Sequence, residues 1–254
     1  MFLQALVARL WWGPLRRPFE AFARRLLQPR SRIMTGPLKG CRFSGGLAQM
    51  LGIYEIEVQQ ALMGHVCRGS VVYDIGANNG FFTLLAAKLV GPEGHVYAFE
   101  PFPSEAEKIE RTVEANHVSN CMVLAQAVAG VSGEATLHFE TASSTATLTP
   151  LSGRGQQVLN VQTIALDDFV TPENWPDLIK VDVEGAEELV LQGASRLFDG
   201  SKPPPVWIIE THSPEAYRWV KDFLGARGYR TAHLPRRSAS HKTYPARIVA
   251  TMQP

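Results

Sequence analysis

The chain has 254 residues, a formal net charge of +1 and 45% hydrophobic residues. This composition is typical of one large globular domain, and it excludes both a disordered chain and a general electrostatic attraction to nucleic acid. The three cysteines, Cys41, Cys67 and Cys121, are odd in number and scattered. They argue against a disulfide framework or a cysteine-based zinc site and indicate a reducing, cytoplasmic environment. No stretch of about 20 apolar residues is present to span a bilayer.

Residues 1–35 are predicted to form a basic arm in front of a domain at 36–254. The first 32 residues hold seven arginines and a single acid, Glu20, among Phe, Leu and Trp. Two short amphipathic helices with a break near Gly13-Pro14 would separate the apolar side chains from the arginines. A basic start and a small-residue cleavage site are both missing, which argues against a signal peptide. Two interpretations stay open: the arm packs on the domain as a lid or dimer arm, or it lies peripherally on the inner, anionic face of a membrane.

Beyond residue 70, strands and helices alternate. Short apolar runs predict strands at 71–75, 95–99, 121–128, 178–183 and 206–210. Helical spacing predicts helices at 81–90, 104–117, 186–198 and 214–225. Ser104, with Glu107 three residues later, is predicted to start the second of these helices with a capping box. Such alternation predicts right-handed βαβ units and a doubly wound, mainly parallel sheet.

Two further segments depart from this alternation. Alternating apolar residues at 134–170 predict a β excursion with a loop, and residues 229–232 and 247–252 predict a closing antiparallel hairpin. In doubly wound sheets, ligands bind beyond the carboxyl ends of the strands. The polar residues of this chain fall at those ends, so we expect the functional site there.

The turn YDIGANNG at residues 73–80 has the spacing DxGxNxG and not GxGxxG. Gly76 can adopt positive φ, and Gly80 opens the following helix without a Cβ. Asp74 would repel a dinucleotide pyrophosphate but suits the ammonium of S-adenosylmethionine. Glu100 follows Gly80 by 20 residues, about the separation at which an acid binds ribose hydroxyls in nucleotide-binding folds. The pattern therefore favours S-adenosylmethionine, with an NAD-dependent oxidoreductase as the alternative.

Four polar residues that follow two later strands are the catalytic candidates: Asp182, Glu184, Glu210 and His212. Methyl transfer requires alignment of the acceptor with the methyl group and removal of a proton. In one interpretation His212 is the general base, oriented by a carboxylate. In a second, these side chains, with Asp182, Glu210 and His212 as the core set, bind a magnesium or manganese ion that lowers the pKa of the acceptor hydroxyl. In a third, Asp182 and Glu210 hold loop amides and His212 caps the next helix.

Five stretches carry a resemblance to a known family: VYDIGANNGFFTLLAA, VYAFEPFPS, TIALDDFV, LIKVDVEGAEELVLQGA and WIIETH. In this order they closely resemble the FkbM-type methyltransferases of the class I fold, over roughly residues 70–212. The resemblance implies a seven-stranded Rossmann-like sheet. It also implies contacts of the methionine part with Asp74, Gly76, Ala77, Asn78 and Gly80. It further places the ribose and adenine near Glu100, Pro101, Phe102, Ala127 and Val128, with Asp182 also beside the cofactor.

The resemblance implies an S-adenosylmethionine-dependent O-methyltransferase that acts on a hydroxyl of a sugar, glycan or other small metabolite. We therefore expect a small-molecule or glycan acceptor and no nucleic-acid partner, and a homo-oligomer stays open. A rival of another class is a membrane-attached module that binds S-adenosylmethionine without turnover.

Overall fold

The structure is a computed structural model that describes residues 2–12, 32–140, 146–147, 156–199, 203–235 and 245–252. The helices are α1 Phe2–Trp12, α2 Leu47–Leu51, α3 Ile56–His65, α4 Phe81–Val90, α5 Pro103–Ala115, α6 Leu166–Phe169, α7 Glu187–Gln192, α8 Ser195–Asp199 and α9 Pro214–Gly225. The strands are β1 Val71–Ile75, β2 His95–Phe99, β3 Cys121–Leu124, β4 Ala127–Val128, β5 Gly133–Glu140, β6 Ala146–Thr147, β7 Gln156–Ile164, β8 Leu178–Val181, β9 Val206–Thr211, β10 Tyr229–Leu234 and β11 Ala246–Met252.

The larger sheet has seven strands in the order β10-β11-β9-β8-β1-β2-β3. Its first five strands along the chain pair in parallel, while β11 pairs antiparallel with both β9 and β10. The predicted doubly wound, mainly parallel sheet with a C-terminal antiparallel hairpin is confirmed. Strand β1 lies between β2 and β8, so the order reverses beside β1 and the ends of these strands border a crevice.

A second, smaller sheet has the order β4-β7-β5-β6. It contains the β excursion, in which β5 and β7 pair antiparallel from Gly133↔Thr163 to Glu140↔Gln156. The strand predicted at 121–128 is divided between the two sheets: β3 joins the larger one, and β4 pairs with β7. The chain thus changes sheets between Leu124 and Ala127, beside the crevice.

Two helix predictions are corrected. Helix α5 begins at Pro103 with Phe102 as its N-cap, so the Ser104–Glu107 capping box is wrong. The fixed φ of proline and its lack of an N–H suit the first helical position, which moves the start one residue earlier. The helix predicted at 186–198 is divided into α7 and α8 around Gly193, where a Cβ would lie 2.2 Å from the carbonyl oxygen of Ala129.

The N-terminal helix packs on the domain. The side chains of Gln4, Ala8 and Trp11 on α1 are buried, and Gln4 Nε2 donates a hydrogen bond of 2.7 Å to the carbonyl of Gly52. The second predicted helix of the arm lies outside the described residues. None of the described helices is long and apolar enough to cross a bilayer. Lipid contact through residues 1–32 stays a prediction.

Candidate active site

A cavity of about 570 Å³ opens beyond the carboxyl ends of β1, β2 and β8, within the size range of ligand sites. At the end of β2 it is lined by Asn78, Glu100, Phe102 and Ala127, which we call the Glu100 end. On the β8 side it is bordered by Asp182 and Glu184, behind which lie Glu187, Glu210 and His212; these five form the acidic end.

The turn after β1 needs glycine because two loops touch there. Gly76 has φ +74°, and a Cβ on it would lie 1.9 Å from the carbonyl oxygen of Asp182. Gly76, Ala77 and Asn78 line the cavity, and their contacts with the cofactor stay a prediction. Gly80 is not among the lining residues; a Cβ there would lie 3.1 Å from Ile109 of α5. Gly80 thus serves the packing of α5 against the turn.

Asp74 occupies a different place from the predicted one. Its side chain is buried, accepts a hydrogen bond of 2.6 Å from Thr83 of α4 and lies 3.2 Å from Lys180 Nζ. It is absent from the described residues that line the cavity. The predicted contact with the methionine part is therefore corrected. Side chains alternate along a strand, so Asp74 shares with Val72 the face that α4 covers.

Glu100 is buried at the end of β2 and oriented by two backbone amides. Its Oε2 accepts a hydrogen bond from Asn78 N at 2.7 Å, and its Oε1 accepts one from Phe102 N at 3.0 Å. Burial raises the pKa of Glu100 to about 7, although these two bonds oppose the shift. Around it lie the other predicted contacts: Pro101, Phe102, Ala127 and Val128. Phe102 packs edge-to-face on Phe139 of the smaller sheet, with ring centroids 5.1 Å apart.

His212 lies among carboxylates at the acidic end. Its Nδ1 is 2.6 Å from Glu187 Oε1, while its Nε2 is 3.0 Å from Glu184 Oε2 and 3.8 Å from Asp182 Oδ1. Burial opposes the charged imidazole, but the bond to Glu187 and the neighbouring carboxylates raise the pKa of His212 to about 9. Both ring nitrogens face carboxylates, and His212 is not among the described residues that line the cavity, so this geometry does not favour it as the general base.

One part of the structural interpretation, the helix cap by His212, is also corrected. Ser213, and not His212, caps α9, because its Oγ accepts the hydrogen bond from Ala216 N. Asp182 lies beside Lys180 and His212, and Glu210 Oε2 accepts from Arg247 Nε at 2.5 Å, so both contact charged side chains. One ligand atom each from Asp182, Glu210 and His212 lies within 4.8 Å of the others, which brings the predicted metal-binding set together.

The backbone is strained beside this end of the cavity. Glu184, which lines the cavity, has φ +52° and is followed by Gly185 at φ +99°. A residue other than glycine in the left-handed region is held there by its surroundings, and such residues cluster at functional sites. Here the strain presents the Glu184 carboxylate to both the cavity and His212.

Several site residues were missed by the sequence reasoning: Tyr54, Glu55, Glu57, Lys180, Glu187 and Arg247. Tyr54 lines the cavity from the segment before β1 and packs on Phe81 and Phe82. Arg247 is buried and contacts Glu55, Glu57 and Glu210 at 2.5, 2.6 and 2.5 Å.

Only some of these residues left a signal in the sequence. Lys180 could have been found, because it lies on β8 two residues before Asp182, and residues two apart in an extended segment face the same way. Glu57 and Arg247 are 190 residues apart, and no local pattern relates them.

This fold and cavity define a class I S-adenosylmethionine-dependent methyltransferase. Residues 74–232, more than half of the chain, match the sequence profile of the methyltransferase FkbM domain. The chain belongs to the FkbM methyltransferase family.

Solved structures share the fold at low sequence identity. A methyltransferase FkbM from Methylobacillus flagellatus is 14% identical with a TM-score of 0.51, covering 94% of this chain and 60% of its own. A precorrin-6y C5,15-methyltransferase from Geobacter metallireducens is 17% identical with a TM-score of 0.50, covering 79% and 90%. A Streptococcus mutans protein in complex with SAH is 12% identical with a TM-score of 0.52, covering 78% and 97%.

Two curated relatives are protein-L-isoaspartate O-methyltransferases. The one from Ignicoccus hospitalis is 40% identical over 57 residues, which are 22% of this chain and 27% of that protein. The one from Methanothrix thermoacetophila is 29% identical over 113 residues, which are 42% of this chain and 54% of that protein. The chain thus spans about a quarter to a half of these relatives.

Proposed function

We propose that this methyltransferase transfers the methyl group of S-adenosylmethionine to a hydroxyl oxygen of a small molecule or glycan. The observation that supports this most is the continuity of one cavity from the Glu100 end to the Asp182 and Glu184 carboxylates. A nucleoside at the first end and an acceptor at the second would meet inside this cavity.

The cofactor would lie with its ribose hydroxyls on Glu100. That carboxylate is already oriented by the amides of Asn78 and Phe102, so little reorganisation is needed when the hydroxyls donate to it. Adenine would pack between Phe102 and the residues of β4, Ala127 and Val128, which are apolar and line the cavity. The methionine part would cross the Gly76 turn and direct the sulfonium at the acidic end.

At the acidic end, the acceptor oxygen would attack the methyl carbon in line with the sulfur. The new O–C bond forms as the C–S bond breaks, the sulfonium becomes the neutral thioether of S-adenosylhomocysteine, and the hydroxyl proton passes to a carboxylate. Glu184 is the best-placed acceptor of that proton, because it lines the cavity and is oriented by His212 at 3.0 Å. His212 is then a positioning residue and not the base.

The negative charge of the acidic end favours a hydroxyl over a carboxylate as the methyl acceptor. The curated relatives are described as protein-L-isoaspartate O-methyltransferases, so carboxyl methylation is the second candidate. An anionic acceptor would have to approach the carboxylates of Asp182 and Glu184, which repel it. The cavity is also lined by Lys180, but its ammonium is already paired with Asp74 and Asp182. A neutral hydroxyl meets no such repulsion.

The free thiols of the three cysteines support a reducing, cytoplasmic setting for the reaction.

A transfer assay with tritiated S-adenosylmethionine tests the proposal. We expect label in hydroxylated sugars, glycans or small metabolites, in a product that resists mild base, as an ether does. Glu184→Gln should lower kcat by about 100-fold, within the range for loss of a general base. The exposed Glu93→Gln serves as its matched control and should leave kcat unchanged. Cofactor binding without transfer to any hydroxyl, or a base-labile ester formed on an isoaspartyl peptide, would overturn the proposal.

A further inference from the structure

We propose that the acidic end binds one divalent cation of the magnesium or manganese type through Asp182, Glu210 and His212. Their candidate ligand atoms, two carboxylate oxygens and one imidazole nitrogen, lie within 4.8 Å of one another. Small side-chain rotations would bring them to coordination distance around one ion. Oxygen-rich sets with one imidazole suit these hard ions better than copper or a structural zinc.

The orientation of the imidazole supports a ligand role. Glu187 is fully buried, and its Oε1 lies 2.6 Å from His212 Nδ1 and accepts from Gly185 N at 3.0 Å. The other nitrogen of His212 is thereby directed at Asp182 and Glu184. A buried carboxylate that holds the remote nitrogen is the usual outer partner of a metal-bound histidine. Within the part of the chain that the structure describes, the second oxygen of Glu187 is buried without a hydrogen-bond partner.

The charge balance gives independent support. The ion pairs of the site join three cationic side chains, Lys180, Arg247 and His212, to seven carboxylates: Glu55, Glu57, Asp74, Asp182, Glu184, Glu187 and Glu210. Anions outnumber cations in a largely buried region, where uncompensated charge is costly. A divalent ion at the three ligands would bind the neutral imidazole, so it would replace one positive charge with two and reduce this excess.

The role of the ion rests on the proposed function, whereas its binding does not. Glu184 lines the cavity and contacts His212, so an ion on His212 would lie near the acceptor hydroxyl. Coordination of that hydroxyl would lower its pKa and ease loss of the proton to Glu184.

Manganese binding by the full chain tests this site. Protein treated with EDTA and desalted is titrated with Mn²⁺, and free Mn²⁺ is followed by electron paramagnetic resonance. We expect one saturable site per chain, weakened at least tenfold by Asp182→Asn and by His212→Asn, and by about tenfold in Glu187→Gln. His65→Asn, on an exposed histidine at the end of α3, is the matched control and should bind as the unmodified chain does.

Thermal unfolding verifies that each variant is folded. Each of the three substitutions tests the site separately, so if one variant does not fold, the other two still give the result. Absence of saturable binding at millimolar Mn²⁺, or equal binding by the folded variants, would overturn the site. Mn²⁺ binding without methyl transfer to any hydroxyl would overturn the proposed function alone. Full transfer by chelated enzyme that binds no Mn²⁺ would overturn the ion site alone.

Discussion

At the Glu100 end of the cavity a single carboxylate is held by two backbone amides, whereas at the acidic end several carboxylates share a few charged side chains. The partners of Glu100 lie within 22 residues of it, but Arg247 reaches Glu57 across 190 residues. The hydrogen bonds of Glu100 thus lie within one βαβ unit and the turn that follows it, whereas the ion pairs of the acidic end join β8, β9, β11 and the segment before β1. Cofactor recognition should therefore tolerate damage to distant elements better than the acidic end does.

The largest effect is expected where the two ends touch. Gly76→Ala would place a Cβ 1.9 Å from the Asp182 carbonyl in a residue at φ +74°, so the backbone of one loop has to move. We expect loss of S-adenosylhomocysteine binding and a destabilisation of at least about 3 kcal/mol. Calorimetric titration and thermal unfolding measure the two effects.

Gly69→Ala is the control for that change, because Gly69 has φ +83° but a Cβ there would have no atom of the described residues within 4 Å. It should cost about 1 kcal/mol of stability and leave binding intact. If both variants lost stability and binding equally, the backbone strain at the glycine, and not the contact between the two loops, would explain the effect of Gly76→Ala.

Removal of Arg247 should damage the acidic end next most. Arg247→Met leaves Glu55, Glu57 and Glu210 buried without their shared cation, which is expected to cost about 3–5 kcal/mol. Chemical denaturation at pH 7 measures this loss. Arg218→Met, in an exposed pair with Glu215, should change stability by less than about 1 kcal/mol. A small effect at Arg247 would mean that the three acids are not held by it.

At the Glu100 end we expect a pH dependence of cofactor binding. The pKa of Glu100 is raised to about 7 by burial, and ribose hydroxyls donate to the ionised form. Affinity for S-adenosylhomocysteine should therefore rise as pH increases from 6 to 8, by about fivefold to tenfold, as the carboxyl loses its proton. In Glu100→Gln the affinity should be lower and flat over this range. Titration calorimetry at several pH values measures the affinity of both proteins. If the affinity of the variant changed with pH as much as that of the unmodified chain, the pH dependence would belong to another group.

The smallest effect is expected at α1. Gln4→Ala removes hydrogen bonds to the Gly52 carbonyl and to Gln59 Oε1, just before Tyr54 enters the cavity wall. We expect a loss of about 1–2 kcal/mol in unfolding free energy. Leu3→Ala, on an exposed position of the same helix, should have a smaller effect. Equal values would indicate that α1 contributes nothing specific to this wall.

The contrast between the two ends also explains what the sequence could predict. The mainly parallel sheet, the glycine turn and the place of Glu100 at a strand end follow from local patterns, namely strand length, spacing and the residues at strand ends. Asp74 was misplaced because the motif suggested a ligand contact, whereas strand alternation sends its side chain under α4 toward Thr83.

The partners of the acidic end could not be predicted in the same way. His212 was recognised as a candidate, but its protonation depends on Glu187, 25 residues earlier, and on packing that buries both. The ion pair of Arg247 with Glu210 depends on the register of β11 against β9. Such contacts are properties of the assembled sheet and leave no signal in any short stretch.

A crystal structure of the full chain with S-adenosylhomocysteine tests the central claim most directly. The account predicts that both ribose hydroxyls donate to Glu100 and that the sulfur faces Asp182 and Glu184 across the open part of the cavity. Ribose bound away from Glu100, or a sulfur turned from these two carboxylates, would contradict it.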